Sequence, residues 1–301
     1  MIKNIDDMVS WYIKMRPIYK NLANKVESII SEVLNNSNVS YYTITSRAKE
    51  IESLSKKAKK EKYEDPQEEI KDLAGIRIIT YVKSEVNQCC ECINPLFDID
   101  PKHSVDKTKE LGNDKVGYRS IHYVAKLTDE RLVLPEYKVF KDLCFEIQIR
   151  TILEHAWADI SHDRNYKFDG VLPPDIERRF SLVAATLESA DREFDNLAKE
   201  ITIYEKEIQC KVENDDLNNI KINTTSLRNY LKLNFKLQIN KGLLETRFGN
   251  GGLKIIKELN AFGISSLKDL DTLISNIGNM DKLFYAETNF SGLLTCIPGI
   301  M

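Results

Sequence analysis

The seven residues FEIQIRT, 145 to 151, alternate without a break between apolar side chains (Phe145, Ile147, Ile149) and polar ones (Glu146, Gln148, Arg150). A period of two belongs to an extended strand, so the apolar row packs into a core while an acid, an amide and a guanidinium project from the other face. That polar face either meets water or lines a cleft. The period then changes at once. In TILEHAWADI, Thr151 stands as an N-cap, and Leu153, Ala156, Trp157 and Ile160 are expected on the inward stripe of a helix.

Upstream, residues 1–36 carry apolar positions at helical spacing and predict one or two helices; 39–46 is β-branched and aromatic and predicts a strand. Residues 47–62 hold seven Lys/Arg against three Glu, with Ala48, Ile51, Leu54 and Ala58 on a helical stripe. A turn at Pro66 and a short acidic helix lead to the strand 75–82, then to a helix over 84–96. The polar, turn-rich stretch that follows reads as a loop of about 20 residues, a length usually tied to function or disorder. A further strand, 118–127, puts Tyr118, Ser120 and His122 on one face and Ile121, Tyr123 and Ala125 on the other. After a Pro pair, 174–212 reads as one long helix or two. From 215 the chain turns Asn-rich, and two short helices joined at Gly263, with Ser266 and Asp269 at capping-box spacing, are expected within it. The predicted division is 1–214 and a small helical appendage, 215–301.

With 301 residues, 30% of them charged, the chain has no apolar run long enough to cross a bilayer, and its start lacks a basic segment followed by an apolar one. A cytoplasmic protein without a membrane partner is the expectation. A net charge of -3 argues against a surface built for nonspecific nucleic-acid binding, so any anion site is local. Three of the six cysteines crowd into CCEC at 89–92, on a segment that reads as helix; reduced thiols are expected, not zinc ligands.

The strands present polar groups at fixed offsets. KDLAGIR puts Asp72 just before a strand and Arg77 just inside it; FEIQIRT contributes Glu146. Two carboxylates from separate segments suit a Mg²⁺ ion whose coordination substrate phosphates complete, and the basic stretch supplies countercharge for a polyphosphate. The bland alternative for each is a solvated face, and it is preferred for Lys56, Lys59, Lys60 and Lys62.

SRAKEIESLSKK, DLAGIRI, GYRSIHY and FEIQIRTILEHAWADISHDRNYK occur in the order and at the spacing of the synthetase domain of the RelA/SpoT family, the pyrophosphokinases that make (p)ppGpp. Over residues 40–200 the chain resembles a small, single-catalytic-domain member. The resemblance implies an α+β fold, a mixed sheet of about five strands flanked by helices, with the long 174–212 helix beside it. It implies ATP binding by Arg47, Lys49, Ser53, Lys57 and Arg77, the two arginines sandwiching adenine and the lysines neutralising phosphates. Asp72 and Glu146 match the Mg²⁺ carboxylates, and Glu146 also matches the base for a 3′-hydroxyl of GDP or GTP. Tyr118 matches the residue stacked on the acceptor base; Lys115, His122, Gln148 and Arg150 match neighbouring acceptor positions. His155 and Asp159, four apart, are expected to orient their helix, and the HD pair at 162–163 is expected to be structural.

One departure concerns the acceptor. Where the family reads K-x-N-G-Y, this chain reads NDKVGY, and Val116 cannot supply the amide hydrogen bonds of the Asn it replaces. Selectivity is then expected to relax or to shift. Open alternatives are a toxin-type member that modifies the 3′ end of tRNA or an adenosine nucleotide, an inactive nucleotide- or partner-binding relative, and a nucleotidyltransferase that releases pyrophosphate. Implied partners are a homo-oligomer and an antitoxin or regulatory protein.

Overall fold

The structure, a computed structural model, describes residues 5–59, 63, 65–107, 120–167, 173–240, 244–246, 251–276 and 294–296. Two compact units divide the chain, Met1–Asn196 and Leu197–Met301.

The first unit opens with α1 (Ile5–Asn36), a single helix whose buried stripe includes Tyr12, Tyr19, Leu22, Ala23, Val26, Ile29 and Ile30. It packs on a six-stranded sheet built from β1 (Thr43–Ala48), β2 (Ala74–Thr80), β3 (Phe97–Ile99), β4 (Val105–Asp106), β5 (Ile121–Leu127) and β6 (Phe145–Thr151). The order is β1-β2-β6-β5-β3, with β4 also pairing β5. Only the central β2·β6 pair among these is parallel. The predicted alternation of β6 is observed: Phe145, Ile147 and Ile149 are fully buried. Each such side chain contributes about 1.5–3 kcal/mol of burial. They join Ile76 and Ile78 of β2 and the buried face of α4 (Lys83–Ile93), where Cys89 and Cys90 are core thiols. Burial pushes the Cys89 thiol up to about 12.

Three expectations need correction. The basic stretch is not one helix from residue 47: α2 spans Ile51–Ala58, and Arg47 and Ala48 finish β1. Their ladder partners, Gly75 and Ala74, and the bond from Lys49 N–H to the Leu73 carbonyl (2.9 Å) prolong the strand past the point where helical spacing begins. The stretch after 96 is not structureless, since β3 and β4 lie in it; at three and two residues they are too short and polar for periodicity to show. In α6 (Ile152–Lys167), Ala156 is exposed and Ile160 is 56% exposed, not inward. Polar anchors set the helix rotation instead: Glu154 to Lys83 Nζ (3.1 Å) and His155 to Arg150 (2.7 Å).

Between these come α3 (Pro66–Glu69) and α5 (Asp129–Leu132); α7 (Pro174–Glu213) is one helix of 40 residues. The second unit contains α8 (Thr224–Asn234), α9 (Lys236–Asn240), β7 (Leu244–Thr246), α10 (Gly251–Ala261), α11 (Leu267–Asn276) and β8 (Leu294–Cys296). β7 and β8 form an antiparallel ladder that the sequence reading did not foresee. Gly263 takes φ 77°, as the chain between two helices requires, and Ser266 and Asp269 form the expected capping box. Tyr230, Leu227 and Leu267 centre this unit's own core.

Candidate active site

Register decides which side chains share the open face of the sheet. Arg47 stands opposite Gly75, Gly75 beside Glu146, Arg77 beside Gln148, and Gln148 opposite His122. Cross-strand partners project to the same side, so Arg47, Arg77, Glu146, Gln148 and His122 form one polar surface around a glycine that puts no side chain between Arg47 and Glu146.

Asp72 enters this surface from the turn before β2. Its Oδ2 accepts from Lys49 Nζ (2.7 Å) and Lys57 Nζ (2.9 Å). Burial works to raise the Asp72 carboxyl, but the two ammonium groups outweigh it and hold the acid below the usual carboxylate range. Lys57 is raised in turn, because Asp72 overcomes the burial that would lower it. Glu146 is held from both sides: His122 Nδ1 donates to Oε1 (2.8 Å) and Gln148 Nε2 to Oε2 (2.9 Å). Here too burial is outweighed, first by His122 and then by Gln148, so Glu146 lies below its ordinary value although Asp72 pushes it up. Asp72 thus lies close enough to Glu146 for its charge to be felt there, and Lys57 feels both acids.

The donor set fits a divalent cation. Asp72 Oδ1 is buried and has no hydrogen-bond partner among the described residues, the condition of an oxygen reserved for something the chain does not supply. Among those residues no three His, Cys, Asp or Glu side chains gather into a cage. A pair of carboxylates leaving the remaining positions to phosphate oxygens and water is the pattern of Mg²⁺ sites.

The other predicted residues fall into three groups. Arg47 is exposed at the end of β1, Arg77 half-buried in β2, and Ser53 exposed on α2 one turn before Lys57. Arg150 is 2% exposed, and its Nη2 donates to His155 Nδ1 and lies 3.5 Å from Asp159 Oδ1. Burial, and then Arg150, lower the His155 pKa, so the ring accepts as a neutral base; Asp159 stands 3.4 Å from it. Lys115 and Tyr118, with Val116, lie outside the described residues.

Sequence reasoning missed the brace behind β6. Thr151 and Glu154 form a capping box (Glu154 N–H to Thr151 Oγ1, 3.1 Å; Thr151 N–H to Glu154 Oε2, 2.9 Å), and the Thr151 hydroxyl donates to Asp191 of α7 (2.5 Å). Asp195, one turn on, accepts from the Ser84 N–H at the start of α4 (2.7 Å). T-x-x-E at 151–154 was a legible signal for the box; two acids four apart on the packed side of a long helix were the signal for the rest.

A mixed sheet that gathers two carboxylates, two lysines and two arginines along one face has the chemistry to hold nucleotide phosphates. Residues 46–171 match the region found in RelA/SpoT proteins. The GTP pyrophosphokinase YjbM of Bacillus subtilis (strain 168) is 29% identical over 164 residues, covering 52% of this chain and 72% of the relative. Two crystal structures share the fold: small alarmone synthetase 1 from Bacillus subtilis (TM-score 0.54, 23% identity, 64% of this chain and 98% of that one) and the same enzyme bound to its product pppGpp (TM-score 0.53, 24% identity, 64% and 98%). Residues 46–171 therefore carry the region found in RelA/SpoT proteins, and the fold is the one seen in small alarmone synthetase 1. No helix among the described residues is long and apolar enough to cross a membrane.

Proposed function

We propose that this chain is a GTP pyrophosphokinase, transferring the β,γ-pyrophosphoryl group of ATP to the 3′-hydroxyl of GDP or GTP and releasing AMP. The observation that supports the reading is that Asp72, paired with Lys49 and Lys57, lies within electrostatic reach of Glu146, a residue from a distant part of the sequence.

The bond formed joins the acceptor 3′-oxygen to the β-phosphorus; the bond broken joins that phosphorus to the oxygen that leaves on AMP. Such a displacement asks for alignment and charge neutralisation rather than a covalent intermediate. Glu146 takes the proton of the attacking hydroxyl, with His122 and Gln148 fixing the direction of its two oxygens. Lys49 and Lys57, which pair with Asp72, would neutralise phosphate oxygens, and Arg47 and Arg77 would offer planar faces to the adenine. Asp72 and Glu146 would hold Mg²⁺, which when bound supplies charge neutralisation at the polyphosphate. The relatives' names support the guanine acceptor, and Val116 makes its selectivity the point to test.

Purified protein incubated with γ-labelled ATP and Mg²⁺, with GDP/GTP in one arm and deacylated tRNA in the other, should place label in the guanine nucleotide and release AMP. Label in tRNA alone would move the acceptor, and pyrophosphate as the released product would sink the reaction type. Glu146→Gln should lower transfer by about 10³-fold, the middle of the range for losing a positioned base; a parental rate would show that Glu146 is neither base nor ligand.

A further inference from the structure

Helix α1 lies outside the 46–171 match, yet it carries polar atoms that core packing does not explain. Tyr12 is fully buried on its packed face. Its hydroxyl donates to the Lys49 carbonyl (2.8 Å) and stands 3.3 Å from the Leu73 carbonyl. One turn later, Arg16 Nε donates to the same Lys49 carbonyl (3.2 Å), and its Nη2 pairs with Glu50 (2.6 Å). The Lys49 N–H in turn donates to the Leu73 carbonyl (2.9 Å).

These contacts converge where β1 ends and β2 begins, on the two backbone segments that present Lys49 and Asp72. The side chains themselves meet at 2.7 Å, and Asp72 is the residue next to Leu73. A Phe at position 12 would fill the same space. The hydroxyl is therefore accounted for by its carbonyl partners and not by volume, since a buried O–H is tolerated only where it is satisfied. Donors spaced i and i+4 on one helix reach one carbonyl, so α1 acts on this crossing as a two-point clamp.

We infer that Tyr12 and Arg16 are positioning residues of the transfer site, holding the β1–β2 crossing in the register at which Lys49 and Asp72 meet. Neither touches substrate. The inference rests on the reading of Asp72 as a metal ligand and Lys49 as a phosphate partner; the clamp itself is a matter of backbone geometry and has its own readout.

Tyr12→Phe removes one oxygen and leaves the ring. Two quantities test it: the Mg²⁺ concentration giving half-maximal transfer at saturating nucleotides, and hydrogen exchange of the Lys49 backbone amide in the protein without nucleotide. Loss of one hydrogen bond should raise the first about fivefold and speed the second by a similar factor. A loss of folded fraction lowers the rate without moving the half-saturation, so the metal dependence separates positioning from simple destabilisation. Tyr19→Phe, which removes a hydroxyl from the same helix, should move neither. Arg16→Met, at a side chain one-third exposed, repeats the test should Tyr12→Phe fail to fold. Parental values of both quantities in the Tyr12 and Arg16 variants, or an equal shift in Tyr19→Phe, would overturn the inference. A parent enzyme with no transfer activity would instead refute the proposed function, while the exchange arm would still report on the clamp.

Discussion

Asp72→Asn should destabilise the first unit in a pH-dependent way. The substitution keeps the shape of the side chain and one acceptor oxygen but removes the charge that two lysines face. Asp72 is 21% exposed in its side chain, Lys49 13% and Lys57 30%, so the cluster lies between the surface limit, where a pair is worth about 0–1 kcal/mol, and the buried limit, where breaking one costs about 3–5. With two ammonium groups left beside a neutral amide, a loss of about 2 kcal/mol is expected at pH 7, or about 4–8 °C in Tm for a unit of this size. The native carboxyl is held below its ordinary value of 3.8, so its contribution is full well above that value. It declines as the unfolded state begins to take up protons near pH 4, and is lost as pH falls through the lower native value. Urea unfolding of parent and variant at pH 7, 5, 4 and 3.5 measures this directly. A variant as stable as the parent at pH 7, or a deficit that does not shrink toward pH 3.5, would refute the claim that the lysines are held by this carboxylate.

Two further outcomes follow from the donors and braces around β6. Gln148→Leu keeps the volume but deletes the donor to Glu146 Oε2, and should lower kcat about tenfold with little change in stability; an unchanged kcat would show that His122 alone orients the acid. Asp191 is 7% exposed, with Oδ1 buried and unpartnered among the described residues. Burial raises its pKa against the opposing pull of the Thr151 hydroxyl and of Lys83, with Asp195 adding to the rise. A native pKa above the unfolded one means stability is lost as pH rises through it, so Asp191→Asn should be more stable than the parent by about 1 kcal/mol at pH 8, and the gap should close toward pH 4. A gap independent of pH would remove the charge from the explanation.

The parts of the fold legible in the sequence are those whose signal is local. Alternation in FEIQIRT announces both β6 and its two faces, and the TILE segment announces the helix start that Thr151 and Glu154 make. Local signals fail where a neighbouring strand decides: Arg47 reads as helical in its own window and becomes strand because Gly75 lies opposite to pair with it. The candidate site was legible as a set of residue types but not as a set of pairs. Glu146, Gln148 and His122 were each visible, whereas the fact that the latter two hold the first depends on β5 and β6 being antiparallel with His122 opposite Gln148, a register no single segment specifies.

The same reasoning locates the information that positions the chemistry. Each acid is presented by a strand or its leading segment, but the accuracy of its placement comes from the groups that hold it: Gln148 and His122 for Glu146, the Lys49–Leu73 crossing for Asp72, and, outside the motifs, Asp191 behind Thr151 for the end of β6. A displacement of about 1 Å at a transfer site costs on the order of 10²-fold in rate. The apolar face of the sheet fixes the strands relative to one another, and the polar brace fixes their ends. A chain retaining every motif residue but lacking α1 or the Asp191 contact would keep the reagents of the site and lose their alignment.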